Sequence, residues 1–111
     1  MSCTNLKWVG EIRYISSNSE KIPEAGGMYK ILRNDGEKGK LTRVYIGKAV
    51  NLRSQYNFHL SSSEENECLS KNVRNNECYF KYALLDGEQS RQEAEDHLLS
   101  LGTYKCNTQG Q

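Results

Sequence analysis

The chain has 111 residues, 36% of them hydrophobic, and a formal net charge of +1. A chain of this size buries only about 60 to 70% of its unfolded surface, so one domain with a modest core is expected, and a near-neutral balance predicts no strong attraction to a polyanion. No apolar run approaches the roughly 20 residues of a membrane span and MSCTNLKWVG lacks the apolar stretch of a secretory signal, so the expected location is intracellular (cytoplasmic), with no membrane partner.

Trp8 to Ile15, WVGEIRYI, is rich enough in aromatic and β-branched residues for a strand, with its pairing left open. SSNSEKIPEA, Ser16 to Ala25, reads as a polar loop, stiffened by Pro23 on its approach to Gly26 and Gly27. The expected organisation is an N-terminal extension over 1–25 with one candidate strand, a domain over 26–108 and a tail over 109–111. There are no repeats and no tract long enough to be an interdomain linker.

From Gly27, GMYKILRN and LTRVYIGKA alternate in character across the turn-rich NDGEKGK, which predicts an antiparallel hairpin. Period-two geometry puts Tyr29, Ile31 and Arg33 on one face and Met28, Lys30 and Leu32 on the other, while Tyr45 and Gly47 share a face. Lys30, Arg33, Lys38, Lys40, Arg43, Lys48 and Arg53 stand against Asp35 and Glu37, a local surplus of five positive charges. Such a run is more often a solvated face than a nucleic-acid footprint, unless a site lies beside it.

After Gly47 the period changes. Asn51 is placed as an N-cap, Leu52, Tyr56 and Leu60 form a buried helical stripe, and Gln55 and His59 stand one above the other on a neighbouring face. SSSEENE reads as a polar loop, ECLSKNVRN as a short helix, and CYFKYALL as a strand from Cys78 to Leu85, ended by Asp86 and Gly87. Ser90 with Glu93 forms a capping-box pattern and Gly102 suits a left-handed C-terminal cap, which predicts a helix from Arg91 to about Leu101 with Ala94, Leu98 and Leu101 on its core face. The fold class is α+β around a small antiparallel sheet. Cys3, Cys68, Cys78 and Cys106 show neither a Cys-x-x-Cys pair nor a close histidine, so free, half-buried thiols are expected rather than a zinc knuckle or a redox motif.

The tripeptides GMY at Gly27 to Tyr29 and YIG at Tyr45 to Gly47, the following KAVNLRSQYNFH with its histidine twelve residues after the glycine, and EDHLLSLGTYKCN from Glu95 to Asn107 resemble the GIY-YIG nucleases. The resemblance runs from about Gly27 to Asn107. It implies a three-stranded antiparallel sheet flanked by helices and hydrolysis of a phosphodiester with one divalent metal, Mg2+ or Mn2+. Tyr29 and Tyr45 match the motif tyrosines, one of which would activate or position the attacking water. An unperturbed phenol ionises near pH ~10, so that role needs a cation nearby, such as the metal or Lys48. The plainer reading of both tyrosines is packing on a sheet face.

Glu95 matches the metal-binding glutamate, while Glu93 is expected in the capping box; the plain alternative for Glu95 is a surface ion pair with Arg91. Lys48 would contact phosphate, Gly47 would let backbone and phosphate approach, and His59 would shuttle a proton or hold the phosphate. Asn107 would support the site through hydrogen bonds and, with Gly47 and Arg53, complete the nucleic-acid contacts. Gln55 is the departure: eight positions after the YIG glycine the family carries an arginine that binds the scissile phosphate and stabilises charge growing in the transition state. Arg53 lies two positions earlier, rotated about 200° around the helix, and cannot replace it. The expected function is a metal-dependent endonuclease acting on DNA, single- or double-stranded, inactive or strongly weakened by Gln55. The alternative is a non-catalytic nucleic-acid-binding module. Weak binding by so small a domain leaves room for a homodimer or a targeting partner.

Overall fold

The structure, a computed structural model, describes residues 6–34, 41–61, 66–102, 104 and 106–107. Strands β1 (Val9–Arg13), β2 (Gly27–Asn34), β3 (Leu41–Ala49) and β4 (Cys78–Leu84) form one antiparallel sheet in the order β1-β4-β2-β3. The three-stranded expectation is thus corrected to four. The added strand comes from WVGEIRYI, with Ile12 opposite Phe80 and Arg13 opposite Tyr79. Its partner is remote in sequence, so no local pattern announces the pairing.

One face of the sheet carries the main core. Tyr14, Ile22, Tyr29, Ile31, Leu52, Tyr56 and Phe80 are buried together there, each large apolar side chain contributing on the order of 1.5–3 kcal/mol. Helix α1 (Leu52–Leu60) starts as its sequence predicts: Asn51 accepts a hydrogen bond from the Ser54 amide at 3.1 Å, and Leu52 and Tyr56 are fully buried. Tyr56 also fastens the N-terminal segment. Its hydroxyl donates to the Ile15 carbonyl at 2.7 Å, and Tyr14 donates back to the Tyr56 carbonyl at 2.8 Å. Residues Ser16–Lys21, expected as loop, form a short 3-10 turn that leads Ile22 into the core. Helix α2 (Glu67–Asn75) follows, capped by Asn66.

Helix α3 (Glu88–Ser100) packs on β2 and β3 through the buried Ala94. It begins three residues before the expected Arg91. Gly87, at φ 92°, precedes the first turn without a side-chain cap, so the capping box does not form, and Glu93 instead accepts from Gln89 Nε2 at 3.1 Å. The left-handed cap at Gly102 is also absent: Leu101 ends the helix in a right-handed conformation and is 65% exposed rather than core. The bare Gly102 has another use, because Arg43 Nη1 occupies the space that a Cβ there would need.

Cys68, on α2, is joined to Cys106 by a disulfide, which corrects the free-thiol expectation for both. The two lie 38 positions apart, and only the fold brings them together. Cys78 is free and buried, and burial pushes its thiol up to about 11. Cys3, the NDGEKGK turn over 35–40 and most of the SSSEENE loop lie outside the described residues. Among the described residues no helix is long and apolar enough to cross a membrane.

The disulfide ties α2 to the segment beside β3, where the Cys106 amide donates to the Val44 carbonyl at 2.7 Å. Closing a loop of this length removes unfolded-state entropy of about 3–4 kcal/mol. Reduction is expected to lower the urea midpoint accordingly; an unchanged midpoint with both thiols alkylated would contradict the linkage.

Candidate active site

Cross-strand register assembles the first part of the site. Tyr29 pairs with Gly47 and Ile31 with Tyr45, so both motif tyrosines share the face covered by α1. His59, one turn beyond Gln55 on α1, is 6% exposed and lies 2.7 Å through Nε2 from the Tyr29 hydroxyl. Tyr45 completes the group, its ring centroid 6.1 Å from that of Tyr29 and 5.4 Å from the His59 ring. On its other side Tyr29 stacks on Phe80 at 5.5 Å and 12°, so the phenol is fixed in place.

Gly47 has a packing reason here. A Cβ at that position would sit 2.5 Å from the Tyr29 hydroxyl and 2.6 Å from its Cζ. The space expected to admit a phosphate is therefore filled by the Tyr29 ring.

Lys48 alternates to the other side of edge strand β3, towards α3. Its Nζ lies 3.9 Å from the Glu95 carboxylate, whose side chain is 21% exposed. The alternative ion pair between Glu95 and Arg91 does not form. Arg91 instead donates to the Leu85 carbonyl at 3.0 Å. Lys48, Gln55 and Arg91 together line one cleft of about 360 Å³ between α1 and α3. Arg91 is the cation that motif reading missed; its only sequence signal was a position one helical turn before Glu95.

Asn107 holds the YIG strand from outside. Its Oδ1 accepts from the Ile46 amide at 2.7 Å and its Nδ2 donates to the Ile46 carbonyl at 2.8 Å. A side-chain amide thus replaces a further strand on the open edge of β3, fixing the backbone between Tyr45 and Gly47. Arg53 stands apart from this group. It donates from Nε to the Ile22 carbonyl at 2.8 Å and pairs with Glu24 at 3.8 Å, so its charge is directed to the 20–24 segment.

The chain is similar to the magnesium-bound GIY-YIG N-terminal endonuclease domain of UvrC from Thermotoga maritima, with 22% sequence identity and a TM-score of 0.60 over 83% of this chain and 93% of that one. This is the GIY-YIG fold. Two tyrosine-to-phenylalanine point mutants of the same domain, each bound to its catalytic divalent cation, superpose with TM-scores of 0.60 and 0.59 at 20% and 21% identity. They cover 83% and 86% of this chain and 93% and 100% of their own. No family model matches the chain, and no curated protein does. The GIY-YIG fold accounts for the element order, with the two tripeptides side by side on β2 and β3 and Glu95 arriving from α3.

The donor set suits magnesium better than a softer ion. Among the described residues no group of three histidine, cysteine or carboxylate side chains converges on one point. Carboxylate oxygens, from Glu95 beside Lys48 and from Glu88 in the cleft wall, fit a cation that keeps most of its water and takes one or two protein oxygens.

Proposed function

We propose that this chain is a metal-dependent endonuclease that hydrolyses phosphodiester bonds in DNA, strongly weakened by glutamine at position 55. Two observations at edge strand β3 support the reading, a buried phenol–imidazole pair on one side and the Lys48–Glu95 pair on the other, in the fold of a magnesium-bound endonuclease domain.

Glu95 would hold one magnesium ion, and the bound ion supplies Lewis acidity and charge neutralisation at the phosphoryl group. Lys48, paired with Glu95 at 3.9 Å, would bind a phosphate oxygen as a point charge where that carboxylate holds the ion. The 2.7 Å hydrogen bond lets His59 take the Tyr29 proton, making that phenol a base for the attacking water. Tyr45, packed against the same imidazole, orients that water. Gln55 presents hydrogen-bond donors to the cleft without charge, and Arg91 contributes charge from the opposite wall. Asn107 acts as a positioning residue through Ile46.

The rival reading, a nucleic-acid-binding module without turnover, is favoured by Gln55 alone. Glu95→Gln, made in a Gln55→Arg background, separates the two. Loss of the proposed carboxylate ligand is expected to lower magnesium-dependent cleavage of an oligonucleotide by about a hundredfold or more. Stability should hardly change, because a partly exposed ion pair contributes only about 0–1 kcal/mol. Cleavage unaffected by the substitution would remove Glu95 from the mechanism.

A further inference from the structure

Beneath the C-terminal end of α3, on the sheet face opposite the phenols, Lys30, Arg43 and Lys81 line a second pocket, of about 290 Å³. Lys30 and Lys81 are direct cross-strand partners, and like charges so placed destabilise a sheet. Arg43 reaches them through a bulge. Ile31 pairs with Tyr45 but Leu32 with Arg43, leaving Val44 as the extra residue. Strict alternation would put Arg43 on the face of Tyr45 and Gly47; the bulge turns it to the face of Leu32 and Lys30.

The surroundings concentrate this charge instead of dispersing it. Lys30 Nζ lies 4.2 Å from the Trp8 ring centroid, and the Arg43 guanidinium is 5.7 Å from the ring of the buried Tyr104. Leu32 and Leu98 supply apolar wall. Among the described residues no carboxylate lies within ion-pair distance of any of the three cations. Burial, with Lys81 and Arg43 close by, holds the Lys30 ammonium below its usual range. Lys30 and Lys81 are half-sheltered and Arg43 is exposed; with no counter-charge among the described residues their repulsion opposes folding, and a bound dianion or diester would remove that cost.

We propose that this pocket is a second phosphate site, taking a backbone phosphate of the nucleic-acid strand whose scissile group lies in the Lys48–Gln55 cleft. It rests on the nucleic-acid reading above. The Arg43 fork matches two phosphate oxygens, and the two lysines supply point charges. Helix α3 lines both places, with Glu88 and Arg91 at the cleft and Leu98 and Leu101 at the pocket. Seven helical residues from Arg91 to Leu98 span about 10 Å, a distance one strand of a few nucleotides can bridge.

The test uses the whole chain in EDTA, so that it does not depend on cleavage. Anisotropy of a fluorescein-labelled single-stranded oligonucleotide is followed over a range of salt for the parent, Lys30→Gln/Lys81→Gln, Lys81→Gln alone and, as control, the exposed α2 residue Lys71→Gln. The double variant should bind about tenfold more weakly at low salt, with the log–log salt slope reduced by about 1, while Lys71→Gln matches the parent. Without ligand, both pocket variants should melt at or above the parent temperature, because a repulsion has been removed. In a parallel arm, pyrophosphate should raise the melting temperature of the parent and not that of the double variant. If the pyrophosphate shift is lost while oligonucleotide binding is kept, the ligand is a free phosphate compound and the nucleic-acid assignment falls. If neither changes, or Lys71→Gln weakens binding equally, the site itself is overturned. Absence of cleavage under every metal would sink the nuclease reading alone and leave this result standing.

Discussion

Gln55→Arg is expected to raise magnesium-dependent cleavage by about a hundredfold or more, since single donors to a developing oxyanion contribute about that much and arginine contacts to phosphoryl groups contribute roughly a thousandfold or more. The side chain at 55 already lines the cleft with Lys48 and Arg91, one helical turn before His59. A guanidinium there adds the charge that an amide cannot supply, at a half-exposed position where the extra length meets no core. Arg53 does not compensate, because its guanidinium is bonded to the Ile22 and Glu20 carbonyls. Plasmid nicking and single-turnover cleavage of an oligonucleotide, each with and without EDTA, would read the gain. Salt-dependent binding with no gain under magnesium or manganese would favour the binding-module reading.

Gly47→Ala should be nearly as damaging in the opposite direction. The new methyl would meet the Tyr29 ring at 2.5–2.6 Å, and neither partner is free to retreat. Tyr29 is 2% exposed, stacked on Phe80 and bonded to His59, while the backbone before Gly47 is held by Asn107. Overpacking of this kind costs about 1–3 kcal/mol, and displacing the phenol by about 1 Å costs on the order of a hundredfold in rate. Urea denaturation and cleavage, measured in the Gln55→Arg background, should both show the loss. A variant as stable and as active as its parent would mean that Tyr29 is not fixed against the glycine.

Period and capping made much of this legible. Asn51, Leu52 and Tyr56 define α1 because a polar cap followed by a four-residue apolar spacing has few alternatives. The alternation in GMYKILRN and LTRVYIGKA placed Tyr29 and Tyr45 on one face, as the register has them. The long-range features carried no local trace. The partner of β1 and the Cys68–Cys106 link join segments far apart in the chain.

Other features lost to a competing interaction. The capping-box residues at Ser90 and Glu93 fall inside the first turns because the helix begins at Glu88, and Gly102 gives room to Arg43 rather than reversing the chain. The basic run from Lys30 to Arg53 was visible as charge, but its division was not. A single bulge sends Arg43 away from Tyr45. Arg33 donates to Asn72 at 2.7 Å, Arg53 binds carbonyls, and Lys48 remains at the cleft. Arg91 escaped notice because a helical arginine one turn before a glutamate reads as an ordinary ion pair.

The central claim is that Glu95 holds a hydrated dication beside the two phenols, and locating the ion tests it most directly. Anomalous diffraction from manganese-soaked crystals is expected to place one peak about 2.0–2.2 Å from a Glu95 carboxylate oxygen, with Tyr29 or Tyr45 in reach of its water shell, and to lose that peak in Glu95→Gln. A peak elsewhere on the molecule, or one that survives the substitution, would contradict the account.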